Sequence, residues 1–207
     1  MISIQGKGVS TGVAIGPLYY YQRAKSTIRR YEVEDTEAEW ARFKAAQEKA
    51  IAQLGELAEK ARAEAGDEAA LLFETHQMMA EDMDYEEAIQ GLIKDEKLNA
   101  EAAVTDTAAQ FAEMFAQMDD TYMQARAADV KDVSNRIIAA LTGVAQGGID
   151  SPVPVILAAD DLAPSETVQL DKSKILGFIT EGGSGSATPP YWPAPWASPP
   201  SSAWAIS

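Results

Sequence analysis

The chain has 207 residues, 32 of them Asp or Glu and 17 Lys or Arg, for a formal net charge of −15. That length suits one medium domain or two small ones, and the charge speaks against nucleic-acid binding or docking on an anionic membrane, both of which need clustered cations. With no cysteine and a single histidine, His76, disulfides, thiolate chemistry and multi-histidine metal sites are excluded, and a Ser-His-Asp triad could run only through His76.

The first residues, MISIQGKGVSTGVAIGP, lack the cationic start and apolar run of a secretion signal. No apolar stretch approaches the ~20 residues that span a bilayer, so a cytoplasmic protein without membrane insertion is expected. Over 1–32, Val9, Val13, Ile15 and then Leu18 to Tyr21 predict short strands, with turns at Gly8, Gly12 and Gly16. The glycine spacing is not a dinucleotide fingerprint.

Residues 34–143 contain no proline and are rich in Ala, Glu, Gln, Lys and Met, which predicts a helical block. Trp40, Phe43, Ala46, Ala50, Leu54 and Leu57 mark one face of a helix over about 36–64. After Gly66, Leu72, Phe73, His76, Met79 and Ala80 continue the pattern on a second. Asp84 with Glu87 has capping-box spacing for a third, running to Leu92. A fourth is predicted over 99–118, with Val104, Phe111, Met114, Phe115 and Met118 on its apolar side. The fifth carries Tyr122, Ala125, Val130, Val133, Ile137, Ile138 and Leu141, and Gly143 ends it. Short connections between such helices make an antiparallel bundle.

After Gly148, Val153 to Leu157 and Lys174 to Thr180 read as buried strands, with a short helix between them that Ser165 can cap. Strand, helix, strand signals α/β structure. The N-terminal strands are expected to join it. The fold class predicted is therefore mixed, with a helical bundle (33–147) inserted into a discontinuous, incomplete α/β domain (1–32 and 148–183).

The segment 184–207 breaks with the rest. It has no charged residue, and from Ala187 onward it holds six of the ten prolines and three of the four tryptophans. As it stands it reads as a Pro-rich tail. A frameshift explains it better. Assigning GCC ACA CCG CCA TAC TGG to Ala187–Trp192 and reading from the third base gives His-Thr-Ala-Ile-Leu. Permitted codons then continue Ala-Arg-Thr-Met-Gly-Ile-Pro-Ala-Val-Ile-Gly-Val-Gly-Asp, an amphipathic helix, a turn and a strand.

The segments GVSTGVAIGP (8–17), FETHQMMAEDMDYEEAI (73–89), RAADVKDVSNRI (126–137), LAADDLAPSETVQL (157–170) and GFITEGG (177–183) together resemble Enzyme I of the bacterial phosphotransferase system, over residues 1 to about 183. The resemblance implies an α/β phosphohistidine domain and an inserted helical domain that binds HPr, the small phosphocarrier protein. In that family a histidine takes a phosphoryl group from phosphoenolpyruvate, held with Mg²⁺ in a separate C-terminal barrel, and passes it to HPr. A neutral imidazole is nucleophilic near neutral pH and its phosphorylated form is a good donor. The family histidine would fall at Ala187 or Thr188, neither of which can do this. The resemblance stops short of the barrel and its dimerisation region, so neither is expected within this chain. No autophosphorylation and no cofactor of its own are therefore expected of this chain, with Mg²⁺ belonging to the full-length family. The alternative is a non-catalytic helical scaffold whose Pro/Trp tail is itself a ligand segment.

The resemblance places an HPr-binding strip at Glu68, Leu72, His76, Met79, Asp84, Tyr85 and Arg126, with Glu81 and Asp82 adding to an acidic rim that suits a basic partner. Each has a plainer alternative. His76 could be a packed histidine, Leu72 core, and Arg126 the partner of Asp129 or another nearby carboxylate. A di-carboxylate metal motif fails because Phe73, not Glu, stands three residues before His76. Thr167 matches a family residue whose hydroxyl serves the active histidine, with helix capping as its alternative, and Gly182 and Gly183 match the turn entering the phosphohistidine helix.

Overall fold

A computed structural model of the chain describes residues 7–8, 13–22, 28–144, 151–160, 162–181 and 203–205. It divides into two compact units. One comprises residues 24–62 and 69–146, the other residues 1–23, 63–68 and 147–207.

The first unit is helical, and holds its first two helices apart from their adjoining ends at 63–68. Helix α1 (Thr36–Ala65) starts where the Asp35 carboxylate accepts the Ala38 N–H at 2.9 Å. α2 (Asp67–Ala80) follows Gly66, whose φ of 90° lies in the region glycine enters without a Cβ clash. α3 (Met83–Lys94) is capped by Asp82, which accepts the Tyr85 N–H at 3.0 Å. The cap is thus Asp82 rather than Asp84, and Asp84 sits in the first turn. α4 (Ala100–Ala116) and α5 (Thr121–Thr142) complete the set, and α5 stops at Gly143 with φ 70°. Their shared core holds Phe43, Ala50, Ile89, Ile93, Val104, Val133 and Ile137, with Trp40 stacked on Phe43 at 5.1 Å. Residues 31–33 also belong to this unit. Val33 N–H donates to Lys97 O at 2.8 Å, and Tyr31 N–H to Asn99 Oδ1 at 3.1 Å.

The second unit contains a five-stranded sheet of order β1-β5-β4-β3-β2. Strand β2 (Leu18–Tyr21) pairs in parallel with β3 (Val155–Ala159), β3 with β4 (Ile175–Thr180), and β4 with β5 (Ala203–Ala205). β1 (Lys7–Gly8) runs antiparallel to β5. β3 begins after Pro154, which has no N–H to give a ladder. Leu157, Ala159, Leu170, Ile175 and Phe178 form the buried core beside Tyr21. Two expectations are corrected here: Val13 and Ile15 are exposed and outside any strand, and Gly8 lies in β1 rather than in a turn. Within the atypical tail, Ala203–Ala205 forms a sheet strand. Gly12 lies outside the described residues.

Candidate functional site

In the helical unit the packed side of α2 is set by Ala69, Ala70, Phe73, His76 and Ala80. Its C-terminal end is pinned to α1 by Gln47, whose buried amide donates to Ala80 O at 2.7 Å. Gln77 adds a second link, donating to Ile51 O at 3.0 Å. The opposite side therefore faces outward. Leu71 (59% exposed) and Met78 (72%) lie two turns apart on it, and Met83 opens α3 exposed as well. Glu68, Glu81, Asp82 and Asp84 are all exposed.

The expected strip is redistributed by this geometry. His76 is completely buried and Tyr85 nearly so, so neither can touch a partner from the surface. Tyr85 exchanges a 2.7 Å hydrogen bond with Ser134, and burial pushes its hydroxyl up to about 12, the bond to Ser134 opposing the shift. Met79 packs against the helical core and Leu72 is half-buried. Glu68, Asp84 and half-buried Arg126 remain accessible. The neighbours Leu71 and Met78 take the exposed places assigned to Leu72 and Met79.

His76 is instead the inner end of a chain of polar contacts. Its Nε2 lies 3.3 Å from Asp129 Oδ1 and its Nδ1 3.7 Å from Asp132 Oδ2. The ring also meets Phe73 edge-on at 6.1 Å. Asp129 Oδ2 accepts from Arg126 at 3.2 Å. Arg126 in turn donates to the Tyr122 hydroxyl and lies 4.8 Å over its ring. Tyr122, expected on the inner side of α5, is exposed. The local Arg126–Asp129 pair foreseen as the plainer alternative is therefore present. Asp132 was missed, although its i, i+3 spacing from Asp129 was visible.

In the sheet unit the carboxyl ends of the parallel strands form the place where open α/β sheets bind ligands. Tyr21 of β2 donates to Glu166 Oε1 at 3.2 Å, and Tyr20 donates to Asp160 just past β3. Helix α6 (Pro164–Gln169) is opened not by Ser165, which is buried, but by Glu166, whose other oxygen accepts the Ala163 N–H at 2.7 Å. Thr167 is half-buried on this helix. Gly182, Gly183, Ala187 and Thr188 lie outside the described residues. Among the described residues, no three His, Asp or Glu side chains are grouped to hold a metal.

The family model for the N-terminal region of PEP-utilising enzymes matches residues 5–126. The chain belongs to this family. The phosphoenolpyruvate-protein phosphotransferase of Priestia megaterium is 39% identical over 184 residues, covering 87% of this chain and 32% of that protein. That of Staphylococcus carnosus is 36% identical with the same coverage. The chain thus spans about a third of the length of these relatives. A solution structure of Enzyme I is 34% identical, with a TM-score of 0.79 over 98% of this chain and 82% of the other. The N-terminal domain of the nitrogen Enzyme 1 shares the fold, with a TM-score of 0.67 at 22% identity. No described helix is long and apolar enough to cross a membrane.

Proposed function

We propose that this chain is the N-terminal phosphotransfer region of a cytoplasmic Enzyme I-type protein, with an HPr-docking helical domain inserted into its phosphohistidine domain. The observation that carries docking is the outward face of α2. Its apolar residues Leu71 and Met78 stand exposed, and acidic side chains continue from α2 into α3. An apolar centre with a negative rim suits a basic partner with its own apolar patch, and methionine adapts its shape at low cost. Arg126 adds one cation that could meet an acceptor on the partner.

The phosphoryl-transfer step is a different matter. The resemblance puts the phosphorylated imidazole at Ala187 or Thr188, and neither side chain has a nucleophilic ring nitrogen. The chain therefore binds HPr without relaying phosphate. Thr167 would support an imidazole in the parent protein. Phosphoenolpyruvate and Mg²⁺ belong to the remainder of that protein. Nothing here requires nucleic acid or a membrane as partner.

Calorimetric titration of the full chain with HPr tests this, beside a Leu71→Glu, Met78→Glu double variant and a chain whose residues from 184 onward carry the shifted-frame sequence. Saturable binding by the natural and frame-restored chains, lost in the double variant with unchanged circular dichroism, is the expected result. Equal binding by the double variant would move the docking site off α2.

A further inference from the structure

The buried His76 has no exposed surface through which to act, yet both of its nitrogens face carboxylates of α5 rather than the apolar core. Asp129 and Asp132 are one turn apart, and one stands beside each ring nitrogen, at 3.3 and 3.7 Å. Asp129 is shared: one oxygen faces His76 and the other accepts from Arg126. Neither His76 nitrogen makes a hydrogen bond of good geometry. The ring therefore acts on Asp129 as a close polar neighbour at 3.3 Å, limiting where the carboxylate can sit, and not through a hydrogen bond. From there the contacts pass outward through Arg126 to the exposed ring of Tyr122.

We propose that His76 is a positioning residue that holds Asp129 so that Asp129 fixes the Arg126 guanidinium, and thereby tunes affinity for the docked phosphocarrier without contacting it. The inference rests on the docking role of Arg126 proposed above. Without the imidazole, the Asp129 side chain is free to change rotamer, and Arg126 loses the fixed acceptor that keeps it over Tyr122. An unanchored guanidinium must then be ordered at the moment of binding, which weakens the complex.

The test uses the full chain with His76→Leu, His76→Gln, Asp129→Asn and Arg126→Met, singly and with His76→Leu combined with Arg126→Met. In the free protein, the ¹⁵N–¹H signals of the Arg126 side chain report its order. They should shift and exchange faster in His76→Leu and Asp129→Asn, and be largely restored in His76→Gln, whose amide can still reach toward Asp129. Signals unchanged in Asp129→Asn and in a folded His76→Leu overturn the proposal. In HPr titrations, His76→Leu should weaken binding about tenfold, the scale of one charge-assisted hydrogen bond, yet less than twofold when Arg126 is already Met. Independent, additive losses show a purely structural histidine and overturn the proposal. If Arg126→Met leaves affinity intact, the docking role of Arg126 fails instead, and the free-protein signals alone decide whether His76 positions it.

Discussion

Replacing Arg42 by Met should expose how the helical unit is clamped at its most charged internal contact. Arg42 of α1 donates to both oxygens of Glu101 at 2.8 and 2.7 Å and to both of Glu39 at 3.0 and 2.6 Å. Its guanidinium is raised well above its usual value, first by the bond to Glu101 and then by that to Glu39. Both carboxylates are mostly covered, at 11% and 15% side-chain exposure, while Arg42 itself keeps 36%. Each also holds the start of α4: Glu39 accepts the Ala100 N–H at 2.6 Å and Glu101 the Asn99 amide at 3.0 Å. Breaking a fully buried pair costs about 3–5 kcal/mol. The one-third exposure of Arg42 and the remaining donors reduce this to about 2–3 kcal/mol.

The pH dependence sharpens the prediction. Burial tends to raise the Glu39 carboxyl, but bonds from Arg42 and the Ala100 N–H outweigh it and leave it lowered. Arg42 holds Glu101 at about 2, well under the ordinary 4.5. A depressed folded value means the unfolded chain binds the extra proton, so the stabilisation is complete above about pH 4.5 and is lost as pH falls through 2. Urea unfolding followed by far-ultraviolet circular dichroism, at constant salt and at pH 7, 4 and 2.5, should show the two proteins converging at the acid end. A difference below about 0.5 kcal/mol at pH 7, the scale of an ordinary surface pair, or one that does not change with pH, refutes the clamp.

Tyr85→Phe should cost about 0.5–1.5 kcal/mol at neutral pH, one neutral hydrogen bond, and leave HPr affinity unchanged because the ring is buried. With the hydroxyl held at about 12, the natural chain loses stability as pH climbs from 10 to 12, whereas Tyr85→Phe escapes that loss; alkaline thermal melts compare them. Met78→Asp should weaken HPr binding at least about tenfold, a hot-spot loss, with melting temperature nearly unchanged, since the side chain is exposed; calorimetry and melting together check this. Gly143→Ala should lower stability by about 1 kcal/mol in denaturant titrations, because the site has open space around it but a φ of 70° that an L side chain resists.

The helices were legible because apolar spacing near 3.6 runs unbroken by proline across the whole block. What the sequence left ambiguous was the rotation of α2. Its doublets Leu71-Leu72 and Met78-Met79 satisfy two faces about 100° apart, so either member of each pair could face out. The alanines at 69, 70 and 80 were the better markers, because small side chains let helices approach closely. Once they and Phe73 face inward, His76 follows them and Leu71 and Met78 turn to solvent. Cap positions failed for a related reason: Asp82 and Asp84 are chemically equal candidates, and only the chain path after Ala80 selects the first. At α6, Glu166 reaching back to Ala163 replaced the expected hydroxyl cap, a choice settled by its tertiary bond to Tyr21. That bond spans 145 positions and leaves no local sequence trace.

The tail admits one further test, argued from the sheet. A strand parallel to β4 requires a crossover of a dozen or more residues, and residues 181–202 supply that length before β5 pairs with Phe178–Thr180. The shifted frame would use the same length for a histidine-bearing helix and a Pro-Ala-Val-Ile-Gly-Val strand, a far better β-former than Ala-Trp-Ala beside a central strand. Restoring that frame should therefore strengthen the β4 edge and at the same time return a nucleophilic imidazole near the carboxyl ends of the strands. Because phosphoryl transfer between two histidines is reversible, labelled phospho-HPr should pass its group to the restored chain, giving an acid-labile, base-stable label, and should leave the natural chain unlabelled. A folded restored chain that binds HPr but takes no label would refute the placement of the histidine; a labelled natural chain would show that phosphate reaches His76, the one imidazole it has, and would overturn the burial of that ring as the basis of its positioning role.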